Sequence, residues 1–216
     1  VIDVQYTNKI ITLNGWLISN SPIGLRTLSD NFKSYLREKE KNLDIETYGG
    51  SGSYRRYVCT CRNIQIPEEH WQTTQVPFSV EFLCSPFGKA TSSSTINLNS
   101  GAGITSSPYN ETISISGNYK TKPTITITVN SETDLTAIKL KNNTNQDWIQ
   151  VARSFSASEV LTINCDDETV KVGSSNVDFT GVFPRLNPGS NSLTLTITDS
   201  GSFSVSASIV YYPTYL

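Results

Sequence analysis

Methionine is absent from this chain, and histidine occurs once, at His70. A single imidazole excludes any metal centre built on several histidines, and it leaves a Ser-His-Asp triad one choice of base. Charged residues are only 17% of the sequence and the net charge is −2, so neither nucleic acid nor an anionic membrane is an expected partner. No apolar run approaches the ~20 residues of a spanning helix, so no membrane insertion is expected. Dinucleotide and phosphate-loop fingerprints are missing. "GGSG" at 49–52 and "GAG" at 101–103 share their composition but precede no helix. Cys59, Cys61, Cys84 and Cys165 form no CxxC pair, and the spacings of a zinc site are absent. They read as small buried hydrophobes. No metal and no cofactor is expected. The chain opens on "VIDVQY" without a methionine, which reads as a processed start or a fragment whose first strands are missing.

What the sequence does have is Ser, Thr and Asn, set between short alternating apolar runs. Its 216 residues suffice for one large or two small domains. "KIITLNGWLI" (9–18) reads as a strand. Ser21-Pro22 then reads as an N-cap and first turn, and Leu25, Leu28, Phe32 and Tyr35 or Leu36 recur at helical spacing, predicting a helix over about 22–40. "LDIETY", "YRRYVCTCRNIQI" and "VPFSVEFLCSPFG" predict strands packed under that helix. Residues 1–88 are therefore expected as an α+β domain. Residues 89–110, rich in Ser, Thr and Gly, are expected as a linker or edge segment, with "STINLN" as a candidate edge strand. Beyond them, strand patterns recur every 8–14 residues, separated by turn signals such as Asn142-Asn143, Asp166-Asp167 and Asn187-Pro188-Gly189. Residues 111–216 therefore predict a β-sandwich, with a jelly roll as one form of it. The fold class is mainly β.

Chemistry is scarce. His70 lies in "PEEHW" with no GxSxG elbow anywhere, so Glu68, Glu69 and His70 read as a turn, and no catalytic residue is assigned. Asp166, Asp167 and Glu168 suit a calcium loop by residue type, but "CDDETV" reads better as a hairpin turn. A glycosidase needs two positioned carboxylates, and no pair is selected by the sequence. Asn110 and Asn142 match the N-glycosylation pattern, which chance explains in a chain of this composition. Trp148, in "DWIQV", is a candidate glycan contact by stacking, against the alternative of ordinary strand packing. That keeps a carbohydrate-binding, lectin-like module open as a second function class.

The order of several weak motifs is more specific than any one of them. "VFPRLNPGSNSLTLTITDSGSFSVSASIVYYPTYL" carries Phe183, Pro184, Leu186, Pro188, Gly189, Asn191, Tyr212 and Tyr215. With "KIITLNGWLI", the helix, "VEFLCSPFG", and "ISISGNYKTKPTITIT" with Gly117 and Pro123, it resembles the distal tail proteins of long-tailed, siphovirus-type phages. The resemblance implies a structural virion protein of the tail tip rather than an enzyme, made in the host cytoplasm. It implies a hexameric ring formed by the N-terminal domain, with DNA passing through the lumen without specific binding. It also implies a galectin-like C-terminal sandwich that docks other parts. The implied partners are the tail tube protein, the tail-associated hub protein, a receptor-binding protein and, in some relatives, a host cell-surface glycan. On this reading Arg55, Arg56 and Arg62 are candidates for the ring interface or lumen, with plain surface charge as the alternative.

Overall fold

The computed structural model describes residues 6–37, 40–47, 52–67 and 73–216. They form two compact units, residues 1–89 with Leu216, and residues 90–215.

The first unit contains β1 (Lys9–Ile18), α1 (Pro22–Leu36), β2 (Lys41–Glu46), β3 (Tyr54–Gln65), β4 (Gln75–Cys84) and β5 (Gly88–Ala90). The antiparallel order is β1-β4-β3, with β2 and β5 also on β3. Ser21 caps the helix, its Oγ accepting from the Gly24 N–H at 3.1 Å, and Pro22 supplies a fixed φ where no donor is needed. The apolar stripe packs Leu25, Phe32 and Leu36 against the strands, while Leu28 and Tyr35 stay exposed. The helix ends at Leu36, short of the predicted 40, because no apolar side chain follows to hold another turn on the sheet. Tyr57, Cys59, Val80, Phe82 and Cys84 form the buried centre.

Cys59 and Cys84 stand directly opposite each other on β3 and β4 and are joined by a disulfide. This corrects the expectation of four free thiols. The pairing depends on cross-strand register between residues 25 apart in sequence, which spacing alone does not reveal. Cys165 does behave as a buried hydrophobe: burial pushes its thiol up to about 12, with Asp166 and Glu168 adding to the shift and Lys122 opposing it.

The second unit contains β6 (Ser94–Asn97), a 3-10 turn (Leu98–Gly101), β7 (Tyr109–Ile115), β8 (Thr124–Ser131), β9 (Leu135–Asn142), β10 (Trp148–Ala152), β11 (Val160–Asn164), β12 (Thr169–Val172), β13 (Ser175–Asn176), β14 (Thr180–Gly181), β15 (Gly189–Asp199), β16 (Ser204–Tyr211) and β17 (Thr214–Tyr215). Two sheets face each other. One runs β14-β10-β9-β15-β7, the other β13-β12-β11-β8-β16-β6. Alternation explains both. Leu193, Leu195 and Ile197 of β15 are buried, as are Ile125, Ile127 and Val129 of β8 and Val205 and Ile209 of β16. Each such side chain contributes roughly 1.5–3 kcal/mol. The alternate positions, largely Ser and Thr, face water.

Residues 90–110 are part of this unit. β6 is an edge strand on β16, and Leu98 and Ile104 insert into the sandwich core. Two residues of the sequence pattern meet at the other end of the chain. Gly117 adopts φ +108, and the Asn118 and Tyr119 N–H groups donate to the Thr214 carbonyl at 3.0 and 3.1 Å. The Thr121 hydroxyl donates to the Tyr212 carbonyl at 2.9 Å.

Candidate functional site

β3 carries the three arginines, and strand alternation separates them. Arg56 lies opposite Asp44 of β2 and donates to both carboxylate oxygens at 2.8 Å. Arg55, its neighbour, points to the other face of the sheet. Arg62 is exposed at a register shift between Cys61 and Asn63. One strand therefore distributes three charges over three environments. The Arg56 guanidinium, first through its hydrogen bonds and then its charge, holds the Asp44 carboxyl below its ordinary range. A lowered folded-state pKa contributes stability above the ordinary carboxylate range, and that contribution is lost as pH falls through the lowered value. Arg56→Ala is expected to return Asp44 to the ordinary range in an NMR pH titration. The exposed pair should change the unfolding midpoint little.

β1 and the sheet beside it expose apolar side chains. On one face Ile10 pairs with Leu83 and Trp16 with Pro77, and Ile18 follows. Trp16 is 60% and Ile18 66% exposed. Beside them a cavity of about 500 Å³ is lined by Asn14, Trp16, Gln65, Pro67, Pro77 and Phe78. β1 has one hydrogen-bonded neighbour, β4, so its other edge is open among the described residues.

Trp148 starts β10, opposite Lys141 of β9. The Lys139 ammonium lies over its ring, 4.3 Å from the centroid, and Gly181 of β14 packs against its six-membered ring. The indole is half-buried on the outer face of the five-stranded sheet. It shares that face with Lys139, Lys141, Gln150, Thr194 and Thr196. Asn110 and Asn143 extend the polar surface, their amides bonded to the Thr194 hydroxyl at 2.6 and 2.7 Å.

The remaining candidates resolve as local structure. In the 164–169 turn, the Asn164 Oδ1 accepts from the Asp166 and Asp167 N–H groups, as a hairpin turn favours, and Lys122 pairs with Glu168. Among the described residues no three His, Cys, Asp or Glu side chains gather to hold a metal. No described helix is long and apolar enough to cross a membrane. Glu68, Glu69, His70 and Trp71 lie outside the described residues. Asn110 is exposed, but Asn142 is fully buried and has no room for a glycan. Instead it joins Asn191, also fully buried, at 3.2 Å. Asn191 donates to the Asn187 and Gly189 carbonyls at 2.7 and 3.2 Å and accepts from the Asn187 N–H at 2.9 Å. Asn142 donates to the Arg185 carbonyl at 2.8 Å and accepts from the Thr144 N–H at 3.0 Å. The turn "LNPGSN" is thus shaped from inside by two asparagines that satisfy its backbone.

Residues 116–215, which hold this asparagine pair and end on the bonded 212–215 segment, match the family described as siphovirus-type tail component, C-terminal domain. That match covers 100 of the 216 residues, all of them in the second unit. The matched family is one of virion tail parts, and the chain itself is mostly β with a single α-helix among its described residues. The solved crystal structure of the SPP1 Dit (gp 19.1) protein is similar over 97% of this chain and 79% of that one, with a TM-score of 0.66. Identity is 14%, so this likeness speaks for the fold. That protein is described as a paradigm of the hub adsorption apparatus in phages infecting Gram-positive bacteria. No curated protein matches the chain.

Two features of the structure are not legible in the sequence. The buried asparagines each look like a turn residue, Asn142 in "KNNTN" and Asn191 in "LNPGSN", and nothing local pairs two residues 49 apart. The cluster around Trp148 comes from three strands whose register is set by turns far apart in the chain.

Proposed function

We propose that this chain is a tail component, a distal tail protein that acts as a hub and joins the tail tube to the receptor-binding apparatus as a hexameric ring. The observation that carries this reading is the fold likeness to a hub protein across 97% of the chain, both units included, while the family match covers the second unit. A lectin alone has no use for the first unit. Ring closure requires a heterologous interface that repeats around an axis. The first unit offers suitable surface in the open edge of β1 and the exposed Ile10, Trp16 and Ile18. A long apolar edge of this kind invites pairing with another chain. Arg62, exposed at the register shift of β3, is the arginine we assign first to the interface or lumen, with Arg55 and Arg56 as the further candidates. DNA traverses the lumen without specific contacts. The tail tube protein and the tail-associated hub protein stack on the ring, and the second unit docks the receptor-binding protein.

Electron microscopy and mass photometry of the purified protein, alone and with the tail tube protein, test this directly. Six-fold rings are the expected result. A Trp16→Lys, Ile18→Lys double variant is expected to remain folded by circular dichroism and to lose ring assembly by at least tenfold in concentration. A protein that stays monomeric and binds no tail component would count against the hub reading.

A further inference from the structure

We propose that the outer face of the five-stranded sheet binds an anionic saccharide, with Lys139 and Lys141 taking the negative groups and Trp148 stacking on a sugar ring. The inference goes beyond the hub reading and does not need the ring.

Register builds the site. Thr194, Lys141 and Trp148 form one row across β15, β9 and β10, and Thr196, Lys139 and Gln150 form the next. Rows are spaced by about 7 Å along the strands and columns by about 4.8 Å across them. The row after these is Thr198, Ala137 and Ala152, whose small side chains lower the floor beside Lys139 and Gln150. Thr180 of β14 stands opposite Gln150 and closes the side.

Charge selects the occupant. The outward positions of the five strands that are not buried are Asn110, Thr112 and Ser114, then Ser190 to Thr198 in steps of two, then Thr136, Lys139 and Lys141, then Trp148, Gln150, Ala152 and Thr180. Two are cations and none is a carboxylate, in a chain whose net charge is −2. Hydroxyls and amides around a cation pair suit the alternating hydroxyls and anionic groups of an acidic glycan. A neutral glycan would leave the lysines without partners, and a flat apolar protein surface would bury them at a cost.

The Lys139–Trp148 contact adds a mechanism. In the free protein the ammonium lies against the indole face, a cation–π contact of modest strength. A carboxylate or phosphate offers Lys139 a stronger, charge-assisted partner. When the lysine swings to it, the indole face is uncovered and a pyranose ring can stack there. Binding should therefore change Trp148 fluorescence.

The experiment titrates the whole purified chain with three probes: oligogalacturonate, phosphorylated dextran and neutral dextran. Intrinsic fluorescence is followed, and Trp148→Phe identifies the signal. The expected result is saturable binding of an anionic probe, weakened by salt, and none of neutral dextran. Which anionic probe binds tells carboxylate from phosphate. Lys139→Gln with Lys141→Gln is expected to weaken binding about 20-fold, at up to about fivefold per lysine. Lys171→Gln, on the outer face of the other sheet, is the control and should change nothing. The proposal is overturned if no anionic probe binds, if neutral dextran binds equally, or if Lys171→Gln weakens binding as much as the double variant. A monomer that passes this test leaves the site intact while the hub reading fails, and a ring that fails it does the reverse.

Discussion

Asn191→Ala is expected to lower the unfolding midpoint of the second unit by about 10 °C, the largest effect of any single polar substitution in this chain. Asn191 is fully buried and its amide makes four hydrogen bonds, to the Asn187 N–H and carbonyl, the Gly189 carbonyl and the Asn142 amide. Truncation leaves a backbone donor and backbone acceptors of a closed turn without partners, at about 1–3 kcal/mol for each group that water cannot reach. Relaxation of the turn recovers part of this, so the net loss should be about 3–4 kcal/mol. At roughly 3 °C per kcal/mol for a chain of this size, that gives the stated shift. Asn191→Asp separates lost hydrogen bonds from lost packing. It keeps the acceptor oxygen but turns the donor toward two carbonyls into a second oxygen. At neutral pH it should be worse than alanine. The buried carboxyl has its folded-state pKa raised, so the protonated form supports the fold. The variant should regain stability below the ordinary carboxylate range and lose it as pH rises through the raised value. Differential scanning calorimetry at pH 4 and pH 7 reads both predictions. A drop under 3 °C for Asn191→Ala would show that the turn does not need its buried amide.

Gly117→Ala should cost about 3 kcal/mol and release the end of the chain. A Cβ there would sit 2.6 Å from the Thr214 carbonyl oxygen and 3.0 Å from its nitrogen, both backbone atoms that cannot step aside. The φ of +108 adds strain that a side chain rarely tolerates, about 1–3 kcal/mol. Moving the 212–215 segment away would also break the bonds from the Asn118 and Tyr119 N–H groups. Gly189→Ala is the matched control. Its φ is +80, yet nothing lies within 4 Å of its Cβ position, so it pays the backbone cost without the collision. Hydrogen exchange at Asn118 and Tyr119, and carboxypeptidase trimming, should accelerate at least tenfold in the first variant and little in the second.

These two sites show where sequence reading succeeds and where it stops. The strand pattern of residues 111–216 was legible because every sandwich strand buries one face, and water enforces period two. β15 is the clearest case, with Leu193, Leu195 and Ile197 buried as the alternation requires. Gly117 and "YYPTYL" were recognisable as features of the family, but nothing local tells that they touch, since 97 residues separate Gly117 from Thr214. Asn142 shows why the acceptor pattern at that position reads as chance. Its N-N-T context suggests an exposed acceptor, yet its hydrogen-bonding capacity is spent inside the fold. Leu98 and Ile104 lie in a stretch so rich in small polar residues that it reads as a connection, although each fills a core position. The Cys59–Cys84 bond and the cluster around Trp148 depend on register, and register is a property of paired strands.

The water-facing sides of the sandwich are dressed mainly with hydroxyls: Thr124, Thr126 and Thr128 beside Ser204, Ser206 and Ser208 on one sheet, and Thr194 to Thr198 on the other. Such a surface stays wetted by dipoles that ions do not screen, whereas a surface kept apart by charge loses its repulsion once the Debye length falls to a few ångströms. A protein surface coated in this way is expected to keep its colloidal behaviour from dilute fresh water to brine.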